Sequence, residues 1–290
     1  MAVYSEAYGK HKPACSGACL LADVGSLNLM PLSAGLIIVP CAFWFGLCAP
    51  ELVTLPMGGL APVIVALTML TSLSALTLAW VTEPGILPHM RLEEEKERDN
   101  EEEEADGETT LKRNKGKRRF VVPWNGQHYP LSLFRAKICR ETGAAVERFD
   151  HFCPWVGNVV GVRNHRYFVI FTIFTSAVAL EVFVSSMYLG ASAHKLNLKP
   201  SARVVSLVLA TYTAIIMLAV GGLMCYHLDL VANNESTNER LKGVWGYRRN
   251  PYNKGVIANC HEFWCKPTRR SYVSDDSKGP DVPMPLLSNV

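Results

Sequence analysis

The chain of 290 residues carries little net charge, because 29 Lys and Arg residues against 26 Asp and Glu residues leave only +3 at pH 7. Nucleic-acid binding usually needs a strongly basic surface, so no nucleic-acid partner is expected. Internal repeats are absent, which excludes a solenoid. The first thirty residues lack a clean apolar core followed by a cleavage site, so we do not expect a cleaved signal peptide.

A disulfide framework is also missing. The nine cysteines are scattered, and only Cys15/Cys19 and Cys260/Cys265 form short-spaced pairs. No Cys-x-x-Cys motif is present. We therefore expect the cysteines outside the membrane to be reduced thiols on a cytosolic face.

The apolar residues are abundant and segregated. They make up 49% of the chain and collect in four runs near twenty residues long, at 29–49, 59–81, 167–189 and 204–230. A run of this length as a helix crosses a bilayer core of about 30 Å. The sequence therefore predicts an all-α polytopic membrane protein with four transmembrane helices, embedded in a lipid bilayer.

Lys and Arg predict the orientation of these helices. Residues 82–166 hold fifteen of them and residues 231–290 hold nine, whereas the first-to-second loop has none and the third-to-fourth loop has three. Cytosolic loops carry the positive excess. We expect the N-terminal segment 1–28, the long loop and the tail 231–290 to face the cytosol.

The long loop divides into two parts. Residues 82–120 include a nearly unbroken acidic run followed by a basic block, and this composition is typical of a disordered, solvated insert. Alternatively, the basic block could contact anionic lipid headgroups. Residues 121–166 are the expected compact cytosolic domain between the second and third helices.

The candidate chemistry lies in that domain, where Asp150, His151 and Cys153 fall within four residues. A thiol becomes a nucleophile as the thiolate, a histidine can accept its proton, and an acid can orient that histidine. Pro154 follows directly and could hold the thiol in a turn. A thiol just before a membrane span can meet a thioester whose acyl chain lies in the bilayer.

This stretch resembles the cysteine-rich domain of the DHHC palmitoyltransferases, written here as Asp-His-Phe-Cys. The following Pro-Trp-Val-Gly-Asn agrees with the family pattern, as do Gly161, Asn164, Tyr167 and Phe168. Three further motifs occur in the family order around the four helices. They are Glu83-Pro84-Gly85, Ser236-Thr237-Asn238-Glu239, and Asn250-Pro251-Tyr252-Asn253-Lys254-Gly255 with Asn259 and Phe263.

The resemblance implies a protein S-acyltransferase that uses palmitoyl-CoA as donor and modifies cysteines of membrane-associated substrate proteins. Carried over, Cys153 is the nucleophile, His151 the general base and Asp150 the residue that orients it. Hydrogen bonds from supporting residues would hold the site in place. These supporting residues are Thr237, Glu239, Asn259 and Asn158.

Basic residues at the entry to the third helix allow two interpretations. Arg163, His165 and Arg166 could anchor the helix by the positive-inside rule, or they could contact the phosphates of acyl-CoA. Glu181 lies inside the third helix and is by default a functional hypothesis. Alternatively, it packs against a partner such as Tyr226 or His227.

The sequence departs from the family at the positions of two structural zinc ions. Counting back from Cys153 places one set on Asn125, His128, Ile138 and Ala145, and the other on Cys139, Thr142, Phe152 and Val159. Only His128 and Cys139 can ligate, and they belong to different sites. Because a structural zinc needs four ligands, we expect neither zinc to be bound, with apolar packing in its place.

Two alternatives to the enzyme remain open at this point. The lost zinc ligands would suit a membrane scaffold or accessory subunit descended from the enzyme, which should form no thioester on Cys153. A redox-active thiol protein would need a resolving cysteine near Cys153, and Cys139 is the one candidate in residues 121–166. The family resemblance favours Golgi or ER membranes over the plasma membrane.

Overall fold

A computed structural model describes residues 9–14, 19–55, 58–88, 90–92, 119–124, 127–246, 248–269 and 271–272. It is mostly helical, and four of its helices are long and apolar enough to cross a membrane. The predicted fold class is therefore confirmed. Short strands and small helices lie before, between and after these spans.

The four spans are TM1 (Met30–Val53), TM2 (Leu60–Val81), TM3 (His165–Ala191) and TM4 (Pro200–Asn233). TM2 ends at the predicted residue and begins one residue later. TM1 extends beyond its predicted C-terminal end, and TM3 and TM4 extend beyond both predicted ends, because helical hydrogen bonding continues past the apolar window that the sequence reveals. TM4 begins on Pro200, whose missing N–H costs nothing in the first turn. Within TM1, a π-helical turn follows Pro40 at Trp44–Cys48.

TM3 packs between TM2 and TM4, which makes it the central helix of the bundle. A buried hydrogen bond of 2.7 Å joins Ser72 of TM2 to Thr175 of TM3. Small polar residues of this kind let membrane helices approach closely. Large apolar side chains such as Leu67 and Leu218 point outward and are exposed, as expected for surfaces that meet lipid.

Glu181 of TM3 has a partner that the sequence did not predict. The Thr68 hydroxyl of TM2 donates to its carboxylate at 2.8 Å. Tyr226 and His227, the partners considered from the sequence, make no hydrogen bond with it among the described contacts, and His227 faces a different cluster. Glu181 thus joins TM2 to TM3 within the bundle.

The described strands outside the spans form four small antiparallel sheets. One is an N-terminal hairpin, β1 with β2, and another is the hairpin β9 with β10. The other two sheets have the orders β3-β8-β7 and β4-β5-β6. The strands are β1 (His11–Ala14), β2 (Cys19–Ala22), β3 (Ile86–Leu87), β4 (Met90–Leu92), β5 (Arg119–Trp124), β6 (Gln127–Pro130), β7 (Lys137–Ile138), β8 (Ala145–Val146), β9 (His151–Cys153) and β10 (Asn158–Val160).

The predicted insert 82–120 begins too early. Ile86 pairs with Val146, and Met90 pairs with Val121, so residues 86–87 and 90–92 belong to the sheets of the compact domain. These short segments lack the period-2 pattern that would mark a strand, and their pairing partners lie far along the chain. Residues 93–118, which carry the acidic run and most of the basic block, lie outside the described residues.

The tail returns to the compact domain. A first tail helix (Thr237–Leu241) begins with a capping box in which Ser236 and Glu239 exchange hydrogen bonds. A second tail helix covers Val256–Cys265. Farther on, the Ser271 hydroxyl donates to Glu83 at 3.0 Å, and Tyr272 is buried in an apolar cluster of the sheets. The tail therefore helps to build the domain.

Candidate active site

The β9–β10 hairpin carries the predicted nucleophile. Cys153 ends β9 and pairs with Asn158, and its carbonyl accepts the backbone N–H of Gly157 at 2.9 Å. Pro154 fixes the first position of this tight connection, and Gly157 takes a φ of 71° that favours glycine. The turn predicted from Pro154 is present, with the Cys153 side chain 7% exposed at its start.

His151 and Cys153 lie two residues apart on one strand, so their side chains share a face of the hairpin. The two side chains interact, since Cys153 is one of the groups that raise the pKa of His151. On its other side, His151 Nδ1 contacts Asp150 Oδ2 at 2.6 Å. Carboxylate, imidazole and thiol thus follow one another in the order that a nucleophile, its base and the orienting acid require.

Asp150 is held from the tail as well. The backbone N–H of Thr237 donates to Oδ1 at 2.8 Å, and its hydroxyl donates to Oδ2 at 2.7 Å. The carboxylate also faces the positive end of the first tail helix, although that helix is short. Both oxygens of Asp150, which is 2% exposed, therefore accept hydrogen bonds and its orientation is determined by three contacts.

The pKa values of the pair follow from this geometry. Burial would raise the pKa of the Asp150 carboxyl, but interaction with the His165 imidazole and the hydrogen bond from His151 outweigh burial and hold that pKa well below its usual range. Burial would likewise lower the pKa of the His151 imidazole. Its hydrogen bond with Asp150 and its interaction with Cys153 outweigh that effect and raise the pKa of His151 to about 10.

Two further imidazoles surround His151, and sequence reasoning missed their place. His227 of TM4 has its ring centroid 5.7 Å from that of His151, and His165 Nε2 lies 3.3 Å from His227 Nδ1. Phe168 of TM3 touches all three imidazole rings. Only the helical spacing of His165 and Phe168 was available from the sequence, and it does not predict contact with TM4.

The donor atoms of Asp150, His151 and His227 lie within 4.8 Å of one another, and among the described residues they form the one group of three that could hold a metal ion. Two imidazoles and a carboxylate are ligands that zinc accepts. However, both Asp150 oxygens and His151 Nδ1 already have hydrogen-bonding partners. The arrangement suits proton transfer better than metal binding.

Asparagine side chains attach the hairpin to the membrane helices. Asn158 donates to the carbonyls of Trp80 and Thr82 at 2.8 and 3.2 Å, and Asn164 donates to the carbonyl of Ala79 at 3.1 Å. The last carbonyls of a helix have no partner within it. Asn158 and Asn164 therefore satisfy the end of TM2 and hold the thiol-bearing hairpin at that level.

The remaining predicted supporting residues secure the tail. Glu239 accepts from Arg135 Nε at 2.6 Å, which joins the first tail helix to the compact domain. Asn259 donates to the carbonyl of Ala232 at 2.7 Å, which joins the second tail helix to the end of TM4. Neither residue touches Cys153 in the described contacts, so both act at a distance from the thiol.

The N-terminal segment supports the same turn from the other side. The backbone N–H of Leu29 donates to the carbonyl of Pro154 at 2.9 Å, and the Ser33 hydroxyl donates to that of Trp155 at 2.7 Å. A Cβ on Gly157 would overlap the side chain of Asn28. The start of TM1 thus packs directly against the turn after Cys153.

The positions of the second zinc set come together as an apolar cluster. Phe152 and Val159 are cross-strand partners in the β9–β10 hairpin, and both pack with Cys139. Burial and a hydrogen bond to Glu141 raise the pKa of the Cys139 thiol, whereas zinc requires the thiolate. Thr142 is buried beside them. These residues do not fit a zinc ion.

The first zinc set gives a similar result where it is described. Ile138 and Ala145 are cross-strand partners of β7 and β8 and belong to a cluster with Phe134 and Tyr272. Asn125 lies outside the described residues, and the side chain of His128 is also outside them. Two apolar partners in place of two ligands leave too few donors for a tetrahedral site.

A basic cavity of about 580 Å³ opens beside the cluster of imidazoles. Its lining includes all three predicted acyl-CoA contacts, Arg163, His165 and Arg166. These three side chains differ in how free they are to contact acyl-CoA. Arg163 pairs with Glu83, Arg166 donates to the carbonyl of Phe263 at 2.8 Å, and His165 is 3% exposed.

The same cavity contains basic residues that the sequence analysis did not select, and Arg148 stands out among them. Its Nε has no hydrogen-bond partner within the described part of the chain. Burial and the neighbouring Arg135 lower the pKa of the Arg148 guanidinium to about 10, which still leaves it cationic at neutral pH. The cavity is lined by seven cationic side chains and two carboxylates, namely Arg135, Arg148, Arg163, Arg166, Lys254, Lys266 and Arg269 with Glu147 and Glu262.

Comparison with known proteins agrees with this site. Residues 131–244 match the family described as DHHC palmitoyltransferase. The chain is 31% identical to Palmitoyltransferase ZDHHC9 of Danio rerio, over 93% of this chain and 75% of the relative. It is 32% identical to Palmitoyltransferase ZDHHC18 of Homo sapiens, over 97% of this chain and 76% of the relative.

The chain belongs to the DHHC palmitoyltransferase family. It is accordingly an acyltransferase with membrane-spanning helices, and the family resemblance drawn from its motifs is confirmed. The family implies an acyl-CoA donor and protein substrates at membranes. The individual roles of the site residues go beyond this family assignment.

The raised pKa of His151 predicts how stability depends on pH. A group with a folded-state pKa of about 10 and an ordinary value of 6.5 stabilises the folded state fully below pH 6.5 and loses that contribution as pH rises through about 10. The difference in Tm between wild type and His151→Gln should therefore shrink between pH 6.5 and 10. The exposed His261 offers a matched control, since His261→Gln should give the same dependence of Tm on pH as wild type. If the Tm difference between wild type and His151→Gln stays constant or grows from pH 6.5 to 10, the raised pKa of His151 is contradicted.

Proposed function

We propose that the chain is a protein-cysteine S-palmitoyltransferase in which Cys153 carries the acyl group. In the first step, Cys153 Sγ attacks the carbonyl carbon of palmitoyl-CoA. A carbon–sulfur bond forms to Cys153 as the bond to the CoA sulfur breaks. The proton that leaves the Cys153 thiol is carried by His151, whose raised pKa keeps the imidazole protonated at neutral pH. His151 delivers this proton to the departing CoA thiolate, so that the products are acyl-Cys153 and CoA.

The second step transfers the acyl group to a cysteine of a membrane-associated protein. His151 accepts the proton of the substrate thiol, whose sulfur attacks the acyl-Cys153 carbonyl. The bond to Cys153 then breaks and its thiolate recovers the proton. A buried thiol at the cytosolic ends of the spans suits substrate cysteines at the membrane surface.

In both steps Asp150 acts by orienting His151. The 2.6 Å contact between them favours the tautomer in which Nδ1 carries a proton and Nε2 faces the sulfur. Thr237 positions Asp150 in turn through its two hydrogen bonds. The observation that carries the proposal is this continuous chain from Thr237 through Asp150 and His151 to Cys153.

Acyl loading of the purified protein tests the proposal. Wild type incubated with a labelled palmitoyl-CoA should acquire a hydroxylamine-sensitive label, because a thioester forms on Cys153. Cys153→Ser should lose that label, since an alcohol is a much weaker nucleophile than a thiolate. Cys265→Ser, which replaces an exposed cysteine of the tail, should keep it.

The outcome also separates the enzyme from the alternatives. If folded wild type acquires no label, the scaffold becomes the better interpretation. A redox function receives no support from the geometry, because the Cys139 thiol packs in the apolar cluster and donates to Glu141 at 3.0 Å. A redox function would require a resolving cysteine whose sulfur can reach Cys153.

For the donor, we infer that the basic cavity binds the phosphates of CoA. Its cations outnumber its carboxylates, and the Arg148 guanidinium lines the cavity without an ion pair among the described contacts. His165 lines the cavity and belongs to the cluster of imidazoles around Asp150 and His151. Phosphates bound there would bring the thioester toward Cys153.

Charge removal in the cavity tests this inference. Arg148→Gln should raise the half-saturating palmitoyl-CoA concentration for acyl loading by about tenfold, equivalent to the loss of one charge-assisted hydrogen bond. The rate at saturation should change little. Arg249→Gln is the matched control, because Arg249 is exposed and does not line the cavity. Equal effects of the two variants would argue against a phosphate site.

We also propose that the domain folds without the two structural zinc ions of its family. Elemental analysis of purified wild type should detect no stoichiometric zinc, and a strong chelator should leave Tm unchanged. Restoring ligands beside Cys139 with Thr142→Cys, Phe152→His and Val159→Cys should produce about one zinc per chain. Phe152→His alone supplies too few ligands and should not. Stoichiometric zinc in wild type would overturn this proposal.

The proposed topology places both termini and the compact domain in the cytosol. Its support is the Lys and Arg excess in residues 82–166 and 231–290. This orientation puts Cys153 on the cytosolic side of the membrane, where acyl-CoA is present. The family resemblance favours Golgi or ER membranes, with the plasma membrane as the alternative.

A further inference from the structure

Two buried histidines outside the proposed reaction connect the candidate site to the membrane helices and the tail. His165 begins TM3 and is 3% exposed, and His227 lies near the cytosolic end of TM4 and is 1% exposed. Buried polar groups usually have hydrogen-bonding partners. Here each histidine is the other's partner, with 3.3 Å between Nε2 of His165 and Nδ1 of His227.

The rings extend this contact into a continuous aromatic path. Phe263 of the second tail helix lies edge-on to His165 with a centroid distance of 5.3 Å, and His165 lies edge-on to His227 at 5.5 Å. His227 then reaches His151 at 5.7 Å. Phe168 packs at 5.2 Å from His151 and at 4.8 Å from His227.

We propose that His165 and His227 are positioning residues that hold the His151 ring in the orientation needed for acyl transfer. This inference rests on the proposed function, since it assigns a role in the same reaction. Neither histidine touches the reacting sulfur among the described contacts. They act through His151, from two helices that otherwise only surround the site.

The physical basis is control of ring rotation. The hydrogen bond to Asp150 determines which nitrogen of His151 faces the carboxylate, but one bond leaves the ring free to swing about it. Phe168 and His227 lie around the His151 ring and restrict that motion by packing. The orientation of His227 is determined in turn by its contact with His165. Small errors in the position of a base can cost large factors in rate.

His165 has a second interpretation, direct contact with CoA, which the experiment distinguishes from positioning of His151. His165 also lines the basic cavity, so it could contact CoA directly, as the sequence suggested. A CoA contact that forms equally in the ground and transition states would affect the half-saturating concentration. A positioning residue affects the rate at saturation instead.

The experiment measures acyl loading at a series of palmitoyl-CoA concentrations for four variants. His165→Phe and His227→Phe keep an aromatic ring but remove the nitrogens. His165→Gln returns a polar group near the Nε2 position, and His227→Asn returns one near the Nδ1 position. Arg249→Gln, outside the site, serves as the control for handling and detergent.

Both phenylalanine variants should lower the saturating rate roughly 10- to 100-fold with little change in the half-saturating concentration. His165→Gln and His227→Asn should each recover part of the rate, because they restore the contact between TM3 and TM4. Far-UV circular dichroism and Tm close to those of wild type establish that the variants are folded. If the phenylalanine variants are unfolded, the Gln and Asn variants alone decide the question. A fall in their saturating rate well below one tenth of wild type would then mean that the ring itself is needed, and an unchanged rate would overturn the proposal.

Two results would overturn the inference. Saturating rates of His165→Phe and His227→Phe equal to wild type would show that the pair does not position the base. A raised half-saturating concentration at an unchanged saturating rate would assign His165 to CoA contact instead. Failure of the proposed function is distinguishable, because wild type itself would then acquire no label.

Discussion

The Asp150 carboxylate is the point at which the separate parts of this protein meet. It accepts two hydrogen bonds from Thr237, at the start of the first tail helix, and a third from His151 on the β9 strand. A buried carboxylate without such partners would cost several kcal/mol. The three contacts therefore require the tail to return to the compact domain, and they orient the imidazole toward Cys153. The capping box of Ser236 and Glu239 presents Thr237 for this purpose.

The compact domain packs apolar side chains at most of the described positions where the family resemblance implies zinc ligands. In the second zinc set, Phe152 and Val159 face each other across the β9–β10 ladder, where a packed apolar pair can do what two ligands do for a zinc site. In the first set, Ile138 and Ala145 do the same across β7 and β8, and Tyr272 of the tail completes that cluster. Apolar burial at about 25 cal/mol per Å² favours the same chain path that metal binding would otherwise favour. Cys139, the one zinc-type ligand kept in the second set, belongs to this apolar core.

Hydrogen bonds at the ends of the membrane helices determine the level of the Cys153 thiol relative to the spans. The final carbonyls of TM2 accept hydrogen bonds from Asn158 and Asn164, and the first residues of TM1 hold the turn after Cys153. The turn that carries the thiol is thereby attached to the ends of TM1 and TM2 at once. Such an attachment is stiff because backbone carbonyls cannot move without the helix. A thiol at this level can meet both an acyl chain from the bilayer and a cysteine from the cytosol.

The amino-acid sequence by itself determined the four spans, the order of the motifs and the local set Asp150, His151 and Cys153, because these depend on composition and on spacing along the chain. It also indicated Thr237 as a support, through its motif. Only the tertiary structure brought His227 to His151, gave Glu181 its partner on TM2, included residues 86–87 and 90–92 in the sheets and placed Arg148 in the lining of a basic cavity. These contacts join residues far apart in the chain, and no local pattern encodes which faces of two helices or two short strands will meet. Packing decides that, since it depends on the shape and polarity of every neighbour at once.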